Sequence, residues 1–154
     1  MVKKLLLIRQ AASDATGNIP PMAADSFKKR VRDITPLVEG PTKIFTHQAF
    51  KTTKCANIIK ECLMEVGKIS SDISYSSKLG EDCCDAESLN EFMNWVNDSL
   101  SIYNSVIAVA PGMMLPIAKR KLGDYGFSNE GASFQGSITK PGDYIIYIYR
   151  GRPL

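Results

Sequence analysis

Lys4-Leu5-Leu6-Leu7-Ile8-Arg9-Gln10-Ala11-Ala12-Ser13 begins as an apolar run and ends abruptly in a cation and a short polar stretch. Apolar residues at successive positions, Leu5 to Ile8, fit a strand buried on both faces, as in the parallel sheets of α/β proteins. Such a strand delivers Arg9 and Gln10 to the rim where its sheet stops. Ligands of open α/β sheets collect at the rim formed by the strand C-termini. Arg9 is therefore expected to help build an anion pocket there, and Gln10 to limit the chemistry that such a pocket performs.

Working outward, Ala11–Met22 reads as loop, because Asp14, Gly17, Asn18 and the Pro20-Pro21 pair interrupt regular structure. Ala23–Val38 has helical spacing at Phe27, Val31, Ile34 and Val38, and Gly40-Pro41 stops it. Lys28, Lys29, Arg30 and Arg32 fall on its other faces and read as solvated surface. Lys43–Thr46 is a short β-prone run that delivers His47, Gln48 and Ala49 to its end. A second helix from Phe50 or Lys51 to about Val66 carries Ala56, Ile59, Leu63 and Val66 on one face. Ile73–Tyr75 reads as a short strand and Ser76–Glu87 as an acidic loop. Ala86–Leu100 returns to helix, with Leu89, Phe92, Met93 and Val96 inward and Trp95 near the edge. Val106–Ala110 is the clearest buried strand, and Pro111-Gly112 turns into a helix from about Met114 to Leu122. Ser133–Thr139 and Tyr144–Tyr149 flank the tight-turn sequence Lys140-Pro141-Gly142-Asp143 and are expected to form a hairpin. This order predicts an α/β fold in one domain over residues 1–154. It is a three-layer sandwich: a mostly parallel central sheet flanked by helices, with a C-terminal β-hairpin.

The 154 residues are 44% hydrophobic and 23% charged, ordinary for a globular chain able to bury its own core. No apolar run approaches the roughly 20 residues that span a bilayer, and four apolar residues ended by Arg9 do not make a signal peptide. A cytoplasmic protein with no membrane partner is expected. The net charge of +3 is uneven. Residues 1–60 carry 11 Lys and Arg against 4 Asp and Glu, residues 61–100 carry 2 against 9, and residues 101–154 carry 6 against 3. The first segment is thus strongly positive and suits an anionic ligand. Basic residues interleaved with aromatics, the footprint of a nucleic-acid partner, are not seen. Cys55 and Cys62 on a helix and the adjacent Cys83-Cys84 fit neither a zinc knuckle nor a redox pair. With one histidine in the chain, no metal site or cofactor is expected, and the cysteines read as reduced structural thiols.

Leu6-Leu7-Ile8-Arg9-Gln10-Ala11 resembles the Leu-x-x-x-Arg-His-Gly/Ala motif of the histidine phosphatase superfamily, which includes phosphoglycerate mutases and the short phosphohistidine phosphatases. Thr46–Ala56 is similar to that family's Ser-Ser-Pro-x-x-Arg-Thr-x-Gln-Thr-Ala segment. Val106–Leu115 resembles its late strand, which normally leads into a Gly-His pair. Length and element order match the short phosphohistidine-phosphatase-like branch across nearly the whole chain, although no motif is intact. The resemblance implies that Arg9 is the first phosphate-gripping arginine, that Gln10 stands where the nucleophilic histidine would be, and that Lys51 replaces the second arginine. The late histidine would fall on Ala110 or Pro111. The acidic proton donor would come from the middle segment, where Glu81 or Asp82 could match.

These departures bear on mechanism. A neutral imidazole nitrogen has a lone pair that attacks phosphorus, whereas the nitrogen lone pair of the Gln10 amide is delocalised into its carbonyl. Lys51 keeps the charge of arginine without its bidentate fork. No residue is therefore a secure catalyst. Arg9, Gln10, Lys51, Pro111 and Gly112 are the expected anion-binding set, since loops from strand to helix present unpaired N–H groups and a positive dipole end. The only histidine, His47, reads as a polar strand-end residue bonded to a neighbour. Three functions follow as alternatives. The first is an inactive, degenerate domain that binds a phosphorylated or anionic small molecule or phosphoprotein. The second is a phosphatase for phosphohistidine or a small phosphoester, with altered machinery. The third is an interaction scaffold with a relict pocket, toward which Ala110, Pro111 and Met113 lean.

Overall fold

Strand β1 (Lys4–Arg9) runs through the middle of a six-stranded sheet in a computed structural model that describes residues 2–68, 70–79, 85–136 and 138–150. Helix α1 (Pro21–Ile34) and a 3-10 turn (Thr35–Leu37) follow, then β2 (Thr42–Thr46), α2 (Phe50–Glu65) and β3 (Ser70–Tyr75). After α3 (Ala86–Leu100) come β4 (Ser105–Ala110), α4 (Met114–Lys121), β5 (Phe127–Ala132) and β6 (Tyr144–Tyr149). The strand order is β3-β2-β4-β1-β6-β5. β1 to β4 are mutually parallel, and β6 runs antiparallel to both β1 and β5.

The run Leu5–Ile8 is wholly buried because alternate side chains enter two different cores. Leu5 and Leu7 join Val106, Ala108 and Tyr147 beneath α3 and α4. Leu6 and Ile8 join Ile107 and Val109 beneath α1 and α2. Fully burying each such side chain contributes about 2 kcal/mol, so this strand anchors both halves of the expected three-layer sandwich. α3 is set by its sequence at both levels. Asp85 caps it by accepting from the Ser88 N–H at 2.7 Å, and Leu89, Phe92, Met93, Val96 and Leu100 form its buried face.

Topology places the rim. The chain leaves β1 and β2 toward the face of α1 and α2, but leaves β4 toward the face of α4. β1 and β4 are neighbours, with Arg9 paired to Ala110. Two adjacent strands whose exits diverge open a crevice between their C-termini. Among the described residues, no helix is long and apolar enough to cross a membrane.

Three expectations about element position are corrected. α1 begins at Pro21 rather than Ala23, because a proline in the first helical turn lacks only an N–H that has no intrahelical partner anyway. β3 begins at Ser70, three residues before the apolar signal at Ile73. The hairpin's first arm is Phe127–Ala132, not Ser133–Thr139, and residues 133–143 are its long connection. Phe127–Ala132 lacks an apolar alternation because it is an edge strand with a bulge. Asn129 pairs with Tyr147 and Gly131 with Ile146, leaving Glu130 between them. The turn at Lys140–Asp143 does form, with the Asp143 N–H donating to the Lys140 carbonyl at 2.9 Å and Gly142 at φ 82. It closes on β1 instead of on β5. The Gly142 N–H donates to the Arg9 carbonyl at 3.0 Å, and the Arg9 N–H to the Asp143 carbonyl at 2.8 Å.

Candidate functional site

Arg9 leaves the end of β1 on the α4 side of the sheet, half-buried, and its guanidinium is fixed from two directions. Nη1 donates to the Thr139 carbonyl and, at 3.1 Å, to the Thr139 hydroxyl. That hydroxyl donates in turn to the Gly112 carbonyl at 3.3 Å. Gly112 lies directly against the guanidinium. A Cβ at this position would sit 2.8 Å from Nε and 2.9 Å from Cζ of Arg9, closer than packed atoms approach, so only glycine leaves room for this placement.

Gln10 continues past the sheet, its N–H donating to the Ala110 carbonyl at 3.3 Å. The next N–H, that of Ala11, donates to Cys55 Sγ at 3.3 Å. Burial pushes the Cys55 thiol up to about 11, so it stays protonated and is no nucleophile near neutrality. Lys51 stands in the first turn of α2, where there is no acidic residue to offset the positive end of the helix dipole.

Among the described residues, two clefts open at the rim. One, of about 280 Å³, is lined by Arg9, Gln10, Ser13, Lys51 and Pro141 among others. The second, of about 410 Å³, is lined by Arg9, Gln10, Pro111, Gly112, Met113, Ile138 and Thr139. All five residues singled out from the sequence thus reach the rim, but in two groups. Lys51 stands on one side and Pro111 and Gly112 on the other, with Arg9 and Gln10 as the shared wall.

Ala110 and Pro111, where the resemblance would put the late histidine, are both buried at this wall, and neither bears a titratable group. His47 lines neither cleft. Its Nδ1 accepts the Ala49 N–H at 3.2 Å and its carbonyl accepts the Thr52 hydroxyl at 2.7 Å, so the ring serves as a strand-end turn. Glu81, Asp82, Cys83 and Cys84 lie outside the described residues. Among those described, no three or more His, Cys, Asp or Glu come together as a metal would need.

Sequence reasoning missed Thr139 and Ile138. The signal was present in the antiparallel placement that a terminal hairpin strand beside β1 requires. The residues preceding such a strand must reach the rim where β1 ends.

No protein-family model matches the chain, and no curated protein matches it. Solved structures do. The chain described as phosphohistidine phosphatase SixA from Nakamurella multipartitia superposes with a TM-score of 0.60 at 14% identity, covering 82% of this chain and 69% of that one. The protein histidine phosphatase SixA complexed with tungstate gives 0.59 at 14% identity, over 77% and 76%. Phosphoserine phosphatase from Entamoeba histolytica, in complex with 3-phosphoglyceric acid, gives 0.60 at 14% identity, over 99% and 94%. The three-layer sheet, its strand order and these superpositions agree: the chain has the fold of the histidine phosphatase superfamily.

Proposed function

We propose that this chain is a degenerate histidine phosphatase that binds a phosphorylated or otherwise anionic ligand at the Arg9–Gln10 rim and does not turn it over by the family's route. The observation that carries this reading is that Arg9 and Lys51, from β1 and α2, line one cleft together with Gln10. A cation at the end of β1 and a second in the first turn of α2 make a positive site for an oxyanion, and the Gln10 amide adds a hydrogen-bond donor. The neighbours support the ligand class, since one is complexed with tungstate and another with 3-phosphoglyceric acid.

The absence of turnover follows from the residue types. The nitrogen lone pair of the amide at position 10 is delocalised into its carbonyl and does not attack phosphorus as an imidazole nitrogen would. Lys51 is a point charge where a bidentate fork would hold the transferring oxygens in line. Removing one donor of this kind commonly costs on the order of 100-fold or more, and here the nucleophile is replaced as well.

The test is thermal unfolding with inorganic phosphate, paired with hydrolysis of an aryl phosphate and a phosphohistidine peptide. Phosphate is expected to raise the melting temperature, and Arg9→Ala and Lys51→Ala to abolish the rise. Saturation at about 100 times Kd corresponds to nearly 3 kcal/mol. Clear wild-type turnover would replace this reading with that of an active phosphatase. Neither protection nor turnover would leave an interaction scaffold.

A further inference from the structure

The second cleft says what kind of ligand the rim takes. It shares Arg9 and Gln10 with the cationic cleft but differs from it in character. Its lips are two large apolar side chains, Met113 at the start of α4, 70% exposed, and Ile138 in the 133–143 connection, 82% exposed. Pro111 lies in its lining, and among the described residues no lining residue other than Arg9 is charged. Single exposed hydrophobics are common on protein surfaces and need no explanation. Two that come from separate elements, face one concavity and border a cationic cleft call for one.

We propose that the rim takes a bipartite ligand, an organophosphate whose phosphate sits on the Arg9–Lys51 side and whose alkyl or aryl body lies across the Arg9–Gln10 wall between Met113 and Ile138. This rests on the anion-binding reading and adds the chemical class of the body. The occupant follows from continuity. The two clefts share a wall two residues wide, so a small monoester bound by its phosphate in one has its carbon chain directed along the other. A polar body there would find partners only on the Arg9, Gln10 and Thr139 side of the cleft, and the part of it lying between Met113 and Ile138 would lose water without replacing it. An apolar body would bury its own surface and that of Met113 and Ile138 together.

Three probes of similar charge test it: inorganic phosphate, n-butyl phosphate and glycerol 1-phosphate, titrated by calorimetry against the full chain. Butyl phosphate is expected to bind on the order of tenfold tighter than glycerol phosphate, about the effect of burying two methylene groups. In Met113→Ser combined with Ile138→Ser, both exposed positions whose change leaves the core untouched, that preference should fall below about twofold. Affinity for inorganic phosphate should stay within about twofold of wild type. Equal binding of butyl and glycerol phosphates by the wild type, with inorganic phosphate also bound, overturns the bipartite ligand and leaves the anion site standing. A butyl preference that survives the double substitution overturns the assignment to this cleft. Failure of all three probes to bind overturns the anion-binding reading, and the bipartite ligand with it.

Discussion

Arg9 and Thr139, 130 positions apart in the chain, are joined at the rim by two hydrogen bonds from a single guanidinium nitrogen. The first-strand arginine therefore has a structural task besides any ligand, that of tethering the 133–143 connection to the end of β1. Charged hydrogen bonds of this kind each contribute about 1.5–3 kcal/mol. Backbone bonds between Arg9 and the Gly142–Asp143 turn remain when the side chain is removed. Arg9→Ala is thus expected to lower stability by about 2 kcal/mol and to increase protease cleavage within the connection. Thr139→Val keeps the carbonyl acceptor and should cost only about 1 kcal/mol. Urea unfolding and limited proteolysis of both variants check this; equal losses would show that the hydroxyl, rather than the carbonyl, carries the tether.

Gly112 is a second lever on the same guanidinium. A methyl group at this position meets the Arg9 side chain and not backbone, so the arginine can swing aside. Gly112→Ala is therefore expected to change stability by no more than about 1–2 kcal/mol, much of it from the lost Arg9–Thr139 bonds. Its effect on phosphate affinity should be larger than its effect on folding. A variant that melts far below wild type would mean that the contact cannot relax and that the glycine is required by the backbone.

How far the sequence was legible depends on where the residues act. The buried strands β1 and β4 were read correctly because unbroken apolar runs such as Leu5–Ile8 have few alternative placements. Rim position followed for Arg9, Gln10, Lys51, Pro111 and Gly112, since each stands just past a strand or opens a helix. β5 was missed because an edge strand with a bulge at Glu130 need not alternate. The Thr139 contact was missed for a different reason. A turn sequence such as Lys140–Asp143 specifies its local bend but not the strand onto which it closes, and that partner is set by the antiparallel placement of β6 beside β1.

On the proposed reading, a histidine introduced at position 10 should not by itself make the chain a phosphatase. Gln10→His would place a nucleophilic nitrogen at the rim, yet the facing positions remain Ala110 and Pro111, and the second cation remains a lysine. Ala110 is 1% exposed within the core under α4, so a histidine there would overpack that layer at a cost of about 1–3 kcal/mol. Gln10→His and Gln10→His with Lys51→Arg are expected to show aryl phosphate hydrolysis within about tenfold of background, while still protected by phosphate. Robust turnover from the single change would show that the remaining groups suffice, and that residue 10 alone separates this chain from an active enzyme.

Cys55 gives stability a dependence on pH at the alkaline end. Its thiol is held at about 11, above an ordinary 9.0, by burial, which outweighs the opposite pull of the Ala11 N–H that donates to it. In the unfolded chain the thiol ionises first, so between pH 9 and 11 the folded state holds more protons than the unfolded one. By linkage, the stability that the neutral thiol contributes is fully present below about pH 9 and declines as pH rises toward 11. A shift of about two pH units corresponds to about 2–3 kcal/mol when complete. Lysines titrate in the same range, so the comparison must be with Cys55→Ala, in which their contribution cancels. The difference in unfolding free energy between wild type and Cys55→Ala should be largest at pH 8 and shrink by about 2 kcal/mol by pH 10.5. A difference that stays constant over that range would mean the buried sulfur is reached by solvent and ionises as freely in the fold as outside it.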